Sequence, residues 1–291
     1  MPQAMNNTVS LEYETFGDAA NPTLLLIMGY TAQMTAWHID FCQQLADTGL
    51  QVVRFDNRDC GLSSKTEGAP PNVMALMIEA SSGDGVKSEV PYTLSDMAGD
   101  AVAVLDAIGV DKAHIAGASM GGMITQQMAI EYPDRVASLI SIMSTTGAAN
   151  VGQPNPAAMA ALLSPPPADR AGAIERGVET VRVISGPLFD EELTRDAQAA
   201  AFDRSFYPVG AAFQMAAIGK TGDRTEALKS VTQRALVIHG KADPLITLSG
   251  GQATADAISN SELLVLDEMG HDLPRPLWGD IVGAITAHIA A

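Results

Sequence analysis

The sequence has little cysteine, with Cys42 and Cys60 as its two thiols. Neither thiol lies in a C-x-x-C pair, so the sequence contains neither a dithiol redox motif nor a paired-cysteine metal motif. We therefore expect two buried or reduced thiols, no metal site, and a cytoplasmic protein.

Basic residues are also scarce, because 17 Lys and Arg stand against 34 Asp and Glu and leave a formal net charge of −17. The resulting negative field repels nucleic-acid phosphates and anionic membranes. We expect no nucleic-acid partner. A solvated acidic surface is the favoured explanation of the charge, and steering of a cationic substrate is the alternative.

Long apolar runs are absent as well. The longest apolar stretches are far shorter than the ~20 residues that span a bilayer. The first twenty residues, MPQAMNNTVSLEYETFGDAA, contain neither the basic nor the apolar region of a secretory signal. We expect no membrane span, which agrees with a cytoplasmic location.

Short apolar runs alternate with amphipathic segments through the first half of the chain. TLLLIMG, QVVRF, AHIAG and VASLISI are typical of strands buried on both faces, and the segments between them have helical periodicity. This rhythm predicts an α/β fold with a mostly parallel sheet covered by helices on both faces. Ser95 is the predicted N-cap of the helix before AHIAG.

The alternation stops after Ser144 and returns with the strand pattern RALVIHG. Between them, residues 145–229 contain a Pro-rich stretch and helical segments without a buried-strand run. We predict a core domain of residues 1–144 and 230–291 that is interrupted by a helical domain of residues 145–229.

The segment HIAGASMGG places Ser119 at the junction of a predicted strand and a predicted helix. In a nucleophile elbow the residues two positions before and after the serine must be small, because strand and helix nearly touch there. Gly117 and Gly121 meet that requirement. Ser119 is therefore the candidate nucleophile.

A serine hydroxyl needs a general base, usually a histidine held by a carboxylate. His271 in EMGHDLP and Asp243 in HGKADPLI each follow a predicted strand, so both should lie at the carboxyl edge of the sheet with Ser119. The chain order Ser119, Asp243, His271 is the order in which such a triad occurs on this kind of sheet.

Other residues compete for the two partner roles. Asp267 belongs to the last predicted strand, and Asp272 directly adjoins the base that it would have to orient. The remaining histidines are interpreted as structural residues of helices or strands: His38, His114, His239 and His288.

An oxyanion that forms during attack by Ser119 needs preorganised N–H donors. Met120 follows the nucleophile and opens the predicted helix, so its backbone N–H is one candidate donor. Tyr30 follows the strand TLLLIMG, where Gly29 allows a close turn, and its N–H is the second candidate. No cofactor motif competes, since IGKTGD lacks the glycine of a phosphate loop and no G-x-G-x-x-G follows the first strand.

The motifs GASMGG, HGKADP, MGHDLP and VVRFDNRDCGLSS resemble the α/β-hydrolase superfamily over nearly the whole chain apart from residues 145–229. Within it, the chain is similar to the aclacinomycin methylesterase type of carboxylesterase. The resemblance implies an eight-stranded sheet with a helical cap, Ser119 as nucleophile, Asp243 as acid and His271 as base. It also implies Tyr30 and Met120 as oxyanion-hole donors and no cofactor.

Two positions depart from the wider superfamily. Met28 stands where many relatives have histidine, and Asp59 stands where many have glycine, although both agree with the methylesterase type.

The predicted activity is hydrolysis of a small to medium carboxylic ester, with a methyl ester as one candidate. The alternatives are a lactonase, a C–C bond hydrolase or a perhydrolase with the same triad, and a non-catalytic ligand receptor. The sequence predicts neither the natural substrate nor the oligomeric state.

Overall fold

The computed structural model describes residues 2–81, 85–165, 167 and 169–291. Its strands are β1 (Gln3–Asn6), β2 (Val9–Phe16), β3 (Thr23–Ile27), β4 (Gln51–Phe55), β5 (Ala113–Ala118), β6 (Val136–Ile142), β7 (Ala235–Gly240) and β8 (Ser261–Leu266). They form one eight-stranded sheet in the order β1-β2-β4-β3-β5-β6-β7-β8. The pairs β1–β2 and β2–β4 are antiparallel and the other pairs are parallel. The predicted mostly parallel sheet is confirmed.

Eleven α-helices lie in the described part of the chain. They are α1 (Ile39–Asp47), α2 (Val73–Ser81), α3 (Leu94–Ala107), α4 (Met120–Glu131), α5 (Pro156–Leu162), α6 (Arg170–Ile184), α7 (Glu191–Arg204), α8 (Gly210–Thr221), α9 (Thr225–Leu228), α10 (Ser249–Ala257) and α11 (Trp278–Ala290). None of these described helices combines the length and apolar character needed to cross a bilayer.

The helices α5 to α9 lie between β6 and β7, and no strand occurs among the described residues of 145–229. We call residues 145–229 the helical insertion. Its division from the core as a separate domain stays a prediction.

The central strand β3 shows why its sequence is apolar without alternation. Leu25 and Ile27 belong to a core cluster with residues of α3 and α4. Leu24 and Leu26 belong to a second cluster with residues of α1 and α11, on the other face of the sheet. Successive side chains of a strand point to opposite faces, so a strand covered on both faces needs apolar residues at every position.

Two local predictions are wrong. Thr93 precedes α3 as its N-cap, where its N–H donates to the Asp96 carboxylate at 2.8 Å. Ser95 instead lies inside the helix and its hydroxyl donates to Glu131 at 2.6 Å. The capping box formed by Thr93 and Asp96 satisfies the end of the helix, so Ser95 is free for a side-chain contact. Asp267 also lies just beyond β8, which ends at Leu266.

The strand order creates a crevice at the carboxyl edge of the sheet, between β3 and β5. The chain runs from β3 to its neighbour β4 and then returns past β3 to β5 on the other side. Loops that leave the carboxyl ends of β3 and β5 therefore diverge to opposite faces and leave a crevice between them. Tyr30 follows β3 and Ser119 follows β5, so both lie at this crevice.

The buried guanidinium of Arg224 connects the end of the helical insertion to the core. The Arg224 side chain donates to Gln126 Oε1 at 3.1 Å, to the Gly222 carbonyl at 2.7 Å and to the Thr145 carbonyl at 2.9 Å. The residue is only 4% exposed, and burial lowers its pKa to about 10. Three hydrogen bonds therefore compensate a cation removed from water.

Arg224→Met is expected to lower the free energy of unfolding by ~2–4 kcal/mol, because three acceptors lose their donor in a buried place. Chemical denaturation monitored by circular dichroism measures the change. Arg170→Met is the matched control, since Arg170 pairs with Asp203 at 2.6 Å while both side chains are at least half exposed. It should lose no more than ~1 kcal/mol. Equal losses in the two variants would contradict a special role for Arg224.

Candidate active site

Ser119 occupies a strained turn between β5 and α4. Its backbone has φ 56° and ψ −120°, a conformation that residues with a side chain rarely adopt. The Ser119 N–H donates to the Ile142 carbonyl at the end of β6 at 2.9 Å. The turn is thus fixed from the neighbouring strand, and strain of this kind is typical of functional sites.

The glycines on either side of Ser119 are required by close packing. A Cβ atom on Gly117 would overlap the carbonyl group of Gly121, and a Cβ on Gly121 would overlap the Ile27 carbonyl. Gly29 approaches as well, because a Cβ there would lie 3.0 Å from Ser119 Cβ. Strand β5, helix α4 and the loop after β3 therefore meet at the serine.

A chain of hydrogen bonds connects Ser119, His271 and Asp243. His271 Nε2 lies 2.9 Å from Ser119 Oγ, and His271 Nδ1 lies 2.8 Å from Asp243 Oδ2. Asp243 Oδ1 accepts the N–H groups of Leu245 and Ile246, each at 2.9 Å. The Asp243 side chain is fully buried. Its Oδ2 binds His271 and its Oδ1 binds the two backbone N–H groups.

These contacts define how a proton can move. A carboxylate only accepts, so Nδ1 of a neutral His271 carries the proton and donates to Asp243, while Nε2 is left to accept from the Ser119 hydroxyl. This is the arrangement in which an imidazole can remove a proton from a serine. The three residues singled out from the sequence therefore lie in hydrogen-bonding contact, in the order that nucleophilic chemistry requires.

The helical insertion supports the loop that carries His271. The His271 N–H donates to the Ile184 carbonyl at the end of α6 at 2.8 Å. Close packing continues beside it, since a Cβ on Gly270 would overlap the backbone of Ser185 and Gly186. The position of the imidazole thus depends on the insertion as well as on β8.

His239 supports Asp243 from behind. This strand β7 residue is completely buried, and its Nε2 lies 2.8 Å from the Ile246 carbonyl and 3.7 Å from Asp243 Oδ2. Burial lowers the pKa of His239, so the ring is neutral and Nε2 donates to the carbonyl. Since the Ile246 N–H donates to Asp243, His239 holds the turn that surrounds the carboxylate. The motif HGKADP contains this residue, but only the fold places it against Asp243.

The competitors lie in other surroundings. The exposed Asp267 pairs with Lys241 at 3.1 Å, and Asp272 accepts the Gly270 N–H at 3.1 Å. The other histidines are at a helix start, in a strand and in a helix: His38 precedes α1, His114 is in β5, and His288 is in α11. The hydrogen bonds to Ser119 and His271 thus involve none of these residues.

Two backbone N–H groups lie free beside the serine. Within the part of the chain that the structure describes, neither Tyr30 N nor Met120 N donates to a protein acceptor. Met120 is the first residue of α4, where the helix dipole adds positive potential. Tyr30 directly follows Gly29, which contacts Ser119. Burial raises the pKa of the Tyr30 phenol to about 12, so its side chain stays neutral.

The surroundings of these groups are mostly apolar. Tyr30 packs against the core cluster that contains Met120, Met123, Phe213 and Ile246. Phe213 lies on α8 of the helical insertion, so core and insertion share this apolar wall. Low polarity beside charge-bearing groups strengthens their electrostatic interactions.

Comparison with known proteins agrees with the geometry. The family model for the alpha/beta hydrolase fold matches residues 22–274. The chain belongs to the α/β-hydrolase family. This hydrolase is 29% identical to a rhodomycin D methylesterase of Streptomyces sp. (strain C5) over the whole chain and 99% of that protein. The corresponding Streptomyces peucetius methylesterase is 28% identical with the same coverage.

Other relatives of this α/β hydrolase have different names. A 3-oxoadipate enol-lactonase of Acinetobacter baylyi is 27% identical over 89% of the chain and 85% of that protein. Among solved structures, a meta-cleavage product hydrolase of Pseudomonas fluorescens IP01 matches with a TM-score of 0.79 and 18% identity, covering 100% of this chain and 97% of the other. That structural likeness confirms the fold.

Proposed function

We propose that this α/β hydrolase is a serine esterase that cleaves a small to medium carboxylic ester through an acyl-enzyme. The hydrogen-bond chain from Ser119 through His271 to Asp243 is the observation that carries the proposal. The methylesterase relatives that match over their full length favour an ester over other acyl substrates. A methyl ester is accordingly the first substrate to test.

In the acylation step, Ser119 Oγ attacks the ester carbonyl carbon while His271 Nε2 takes the hydroxyl proton. The carbonyl π electrons move to the oxygen, and the resulting oxyanion accepts the N–H groups of Tyr30 and Met120. When the tetrahedral intermediate collapses, the bond to the alcohol breaks and His271 gives its proton to the leaving oxygen. Asp243 stabilises the imidazolium throughout.

Deacylation repeats these steps with water. His271 Nε2 removes a proton from a water molecule, whose oxygen attacks the acyl carbon of the Ser119 ester. The same two N–H groups bind the second oxyanion, and the proton returns to Ser119 Oγ when the acid leaves. No group besides those of the chain and water takes part in the proposed cycle.

The helical insertion, residues 145–229, is proposed to act as a cap domain over this site. Phe213 on α8 joins the apolar cluster beside Tyr30, and the end of α6 binds the His271 backbone. The helical insertion thus contacts Tyr30, which follows β3, and the loop that carries His271. These contacts would let it form part of the wall of the substrate pocket.

Product analysis with a panel of methyl esters, lactones, vinylogous 1,5-diketones and hydrogen peroxide plus acetate tests the reaction type. We expect ester turnover with release of the acid and alcohol, and much lower kcat/KM for the other classes. Preferred turnover of a lactone would indicate a lactonase, as one relative's name suggests. Tight ligand binding without turnover of any substrate would favour a receptor.

A further inference from the structure

We propose that Gln214 is a positioning residue through which the helical insertion holds the Tyr30 N–H in the oxyanion hole. This inference rests on the proposed ester hydrolysis. Gln214 lies on α8 and is completely buried. Its side-chain amide reaches the loop after β3, where the Tyr30 donor lies.

Both ends of the Gln214 amide are used. Oε1 accepts the Thr31 N–H at 2.8 Å, and Nε2 donates to the Arg58 carbonyl at 2.9 Å. Turning the amide over would place a donor against a donor and an acceptor against an acceptor, so the orientation is fixed by its partners. One side chain of the insertion thereby binds two loops of the core.

The residue that Gln214 binds has an unusual backbone. Thr31 has φ 59°, in the left-handed region that residues other than glycine seldom occupy. Its N–H is held by Gln214, and its carbonyl accepts from Cys60 Sγ at 3.2 Å. Side chains rather than a helix or a strand thus hold both sides of Thr31.

These contacts bear directly on the oxyanion donor. The Thr31 N–H belongs to the peptide that follows Tyr30, so fixing it restricts the rotation that would turn the Tyr30 N–H away from Ser119. Gly29, on the other side of Tyr30, already lies against Ser119. The donor is therefore held between a close contact with the serine and a hydrogen bond to the insertion.

Contacts at both ends of helix α8 fix its position on the core. A Cβ on Gly210 would overlap the Asp59 carbonyl, so the start of α8 touches the core. At its end, Thr221 Oγ1 accepts the Leu94 N–H at 3.0 Å, and Lys220 Nζ donates to the Val86 carbonyl at 3.0 Å. The amide of Gln214 consequently has little freedom to follow a loop that moves.

Kinetics of Gln214→Met test the proposal. Loss of a full oxyanion donor costs ~10²–10³-fold in kcat, so a displaced donor should cost about 30-fold or more. We expect KM to stay within about threefold, because the interaction forms in the transition state rather than with bound substrate. Gln126→Met is the matched control, since Gln126 is also fully buried and binds Arg224 of the insertion without touching the Tyr30 loop.

Gln214→Glu separates positioning from general stability. Burial raises the pKa of a carboxyl group, and the protonated acid can accept from Thr31 N and donate to Arg58 O as the amide does. It should therefore restore kcat to within about tenfold of wild type. If Gln214→Met fails to fold, Cys60→Ala, which releases the Thr31 carbonyl, carries the test: its kcat should fall and its amides of residues 29–34 should exchange faster, and no change in either would overturn the proposal.

Hydrogen exchange gives a readout that does not depend on turnover. Amides of residues 29–34 should exchange faster in Gln214→Met than in wild type, and not in Gln126→Met. A kcat within threefold of wild type in Gln214→Met, or an equal kcat loss in Gln126→Met, would overturn the positioning role. If wild type hydrolyses no ester and its Ser119 takes up no fluorophosphonate, the proposed function itself fails, and exchange of residues 29–34 still reports whether Gln214 holds the loop.

Discussion

Ser119→Ala is expected to lower kcat on a preferred ester by about 10³-fold or more, toward ~10⁶-fold if the triad acts as a unit. The variant lacks the oxygen that forms the acyl-enzyme, while His271, Asp243 and the two N–H donors remain. Those groups can still help water attack the ester directly, so a small residual rate should persist. Steady-state kinetics with p-nitrophenyl acetate and butyrate, beside a preferred methyl ester, measure the loss.

Ser141→Ala is the matched control for this experiment. Ser141 lies on β6 and is 1% exposed, and its hydroxyl has no hydrogen-bond partner among the described residues. Its removal should leave kcat within about threefold of wild type, because no interaction is lost. A fluorophosphonate should label Ser119 in wild type and in Ser141→Ala, but give no adduct in Ser119→Ala. Near-normal turnover without the Ser119 hydroxyl would refute the proposed nucleophile.

The mostly parallel sheet and the nearness of Ser119 to His271 can be predicted from the sequence, whereas the strand order cannot. Buried parallel strands need continuous apolar runs, and residues that follow such strands lie at one edge of the sheet. The three candidate residues each follow an apolar run, so the sequence places Ser119 and His271 at one edge although they are 152 positions apart, and their side chains lie 2.9 Å apart. The edge strand β1 has four residues and no apolar run, so the sequence does not predict it.

The backbone conformation of Asp59 can be explained only from the fold. Its φ of 63° lies in the left-handed region, which favours glycine. The Asp59 carboxylate compensates by accepting the Thr66 N–H at 2.6 Å and the Tyr92 hydroxyl at 2.6 Å. Asp and Asn tolerate the left-handed region better than most residues, and the hydrogen bonds from Thr66 and Tyr92 hold Asp59 in it. The sequence shows an Asp at this position but not its contacts with Thr66 and Tyr92.

The contacts of Gln214 cannot be predicted from the sequence, for a different reason. A glutamine within a helical pattern is usually a solvated residue, and nothing in its neighbours distinguishes it. Its role follows from the docking of α8 on the core, which places one amide between Thr31 and Arg58. Residues that act through another residue's backbone leave no motif, so they emerge only when distant segments are seen together.

Asp243→Asn is expected to lower kcat by about 10⁴-fold with little loss of stability. Asp243 Oδ1 accepts two backbone N–H groups at 2.9 Å, and the oxygen of the new amide can keep both. The amide nitrogen must then face His271 Nδ1. A donor there favours the tautomer with its proton on Nε2, which can no longer accept the proton of Ser119. The fold is retained while the direction of proton transfer is lost.

Asp267→Asn is the matched control, because that carboxylate is mostly exposed and pairs with Lys241 at 3.1 Å. It should keep kcat within about twofold, since an exposed ion pair contributes little. Thermal unfolding of both variants should resemble that of wild type, so a fall in kcat confined to Asp243→Asn would assign the loss to the imidazole. If Asp243→Asn turned over esters normally, another group would have to orient His271. Asp272, which adjoins His271 and is held by the Gly270 N–H, would be the next carboxylate to change.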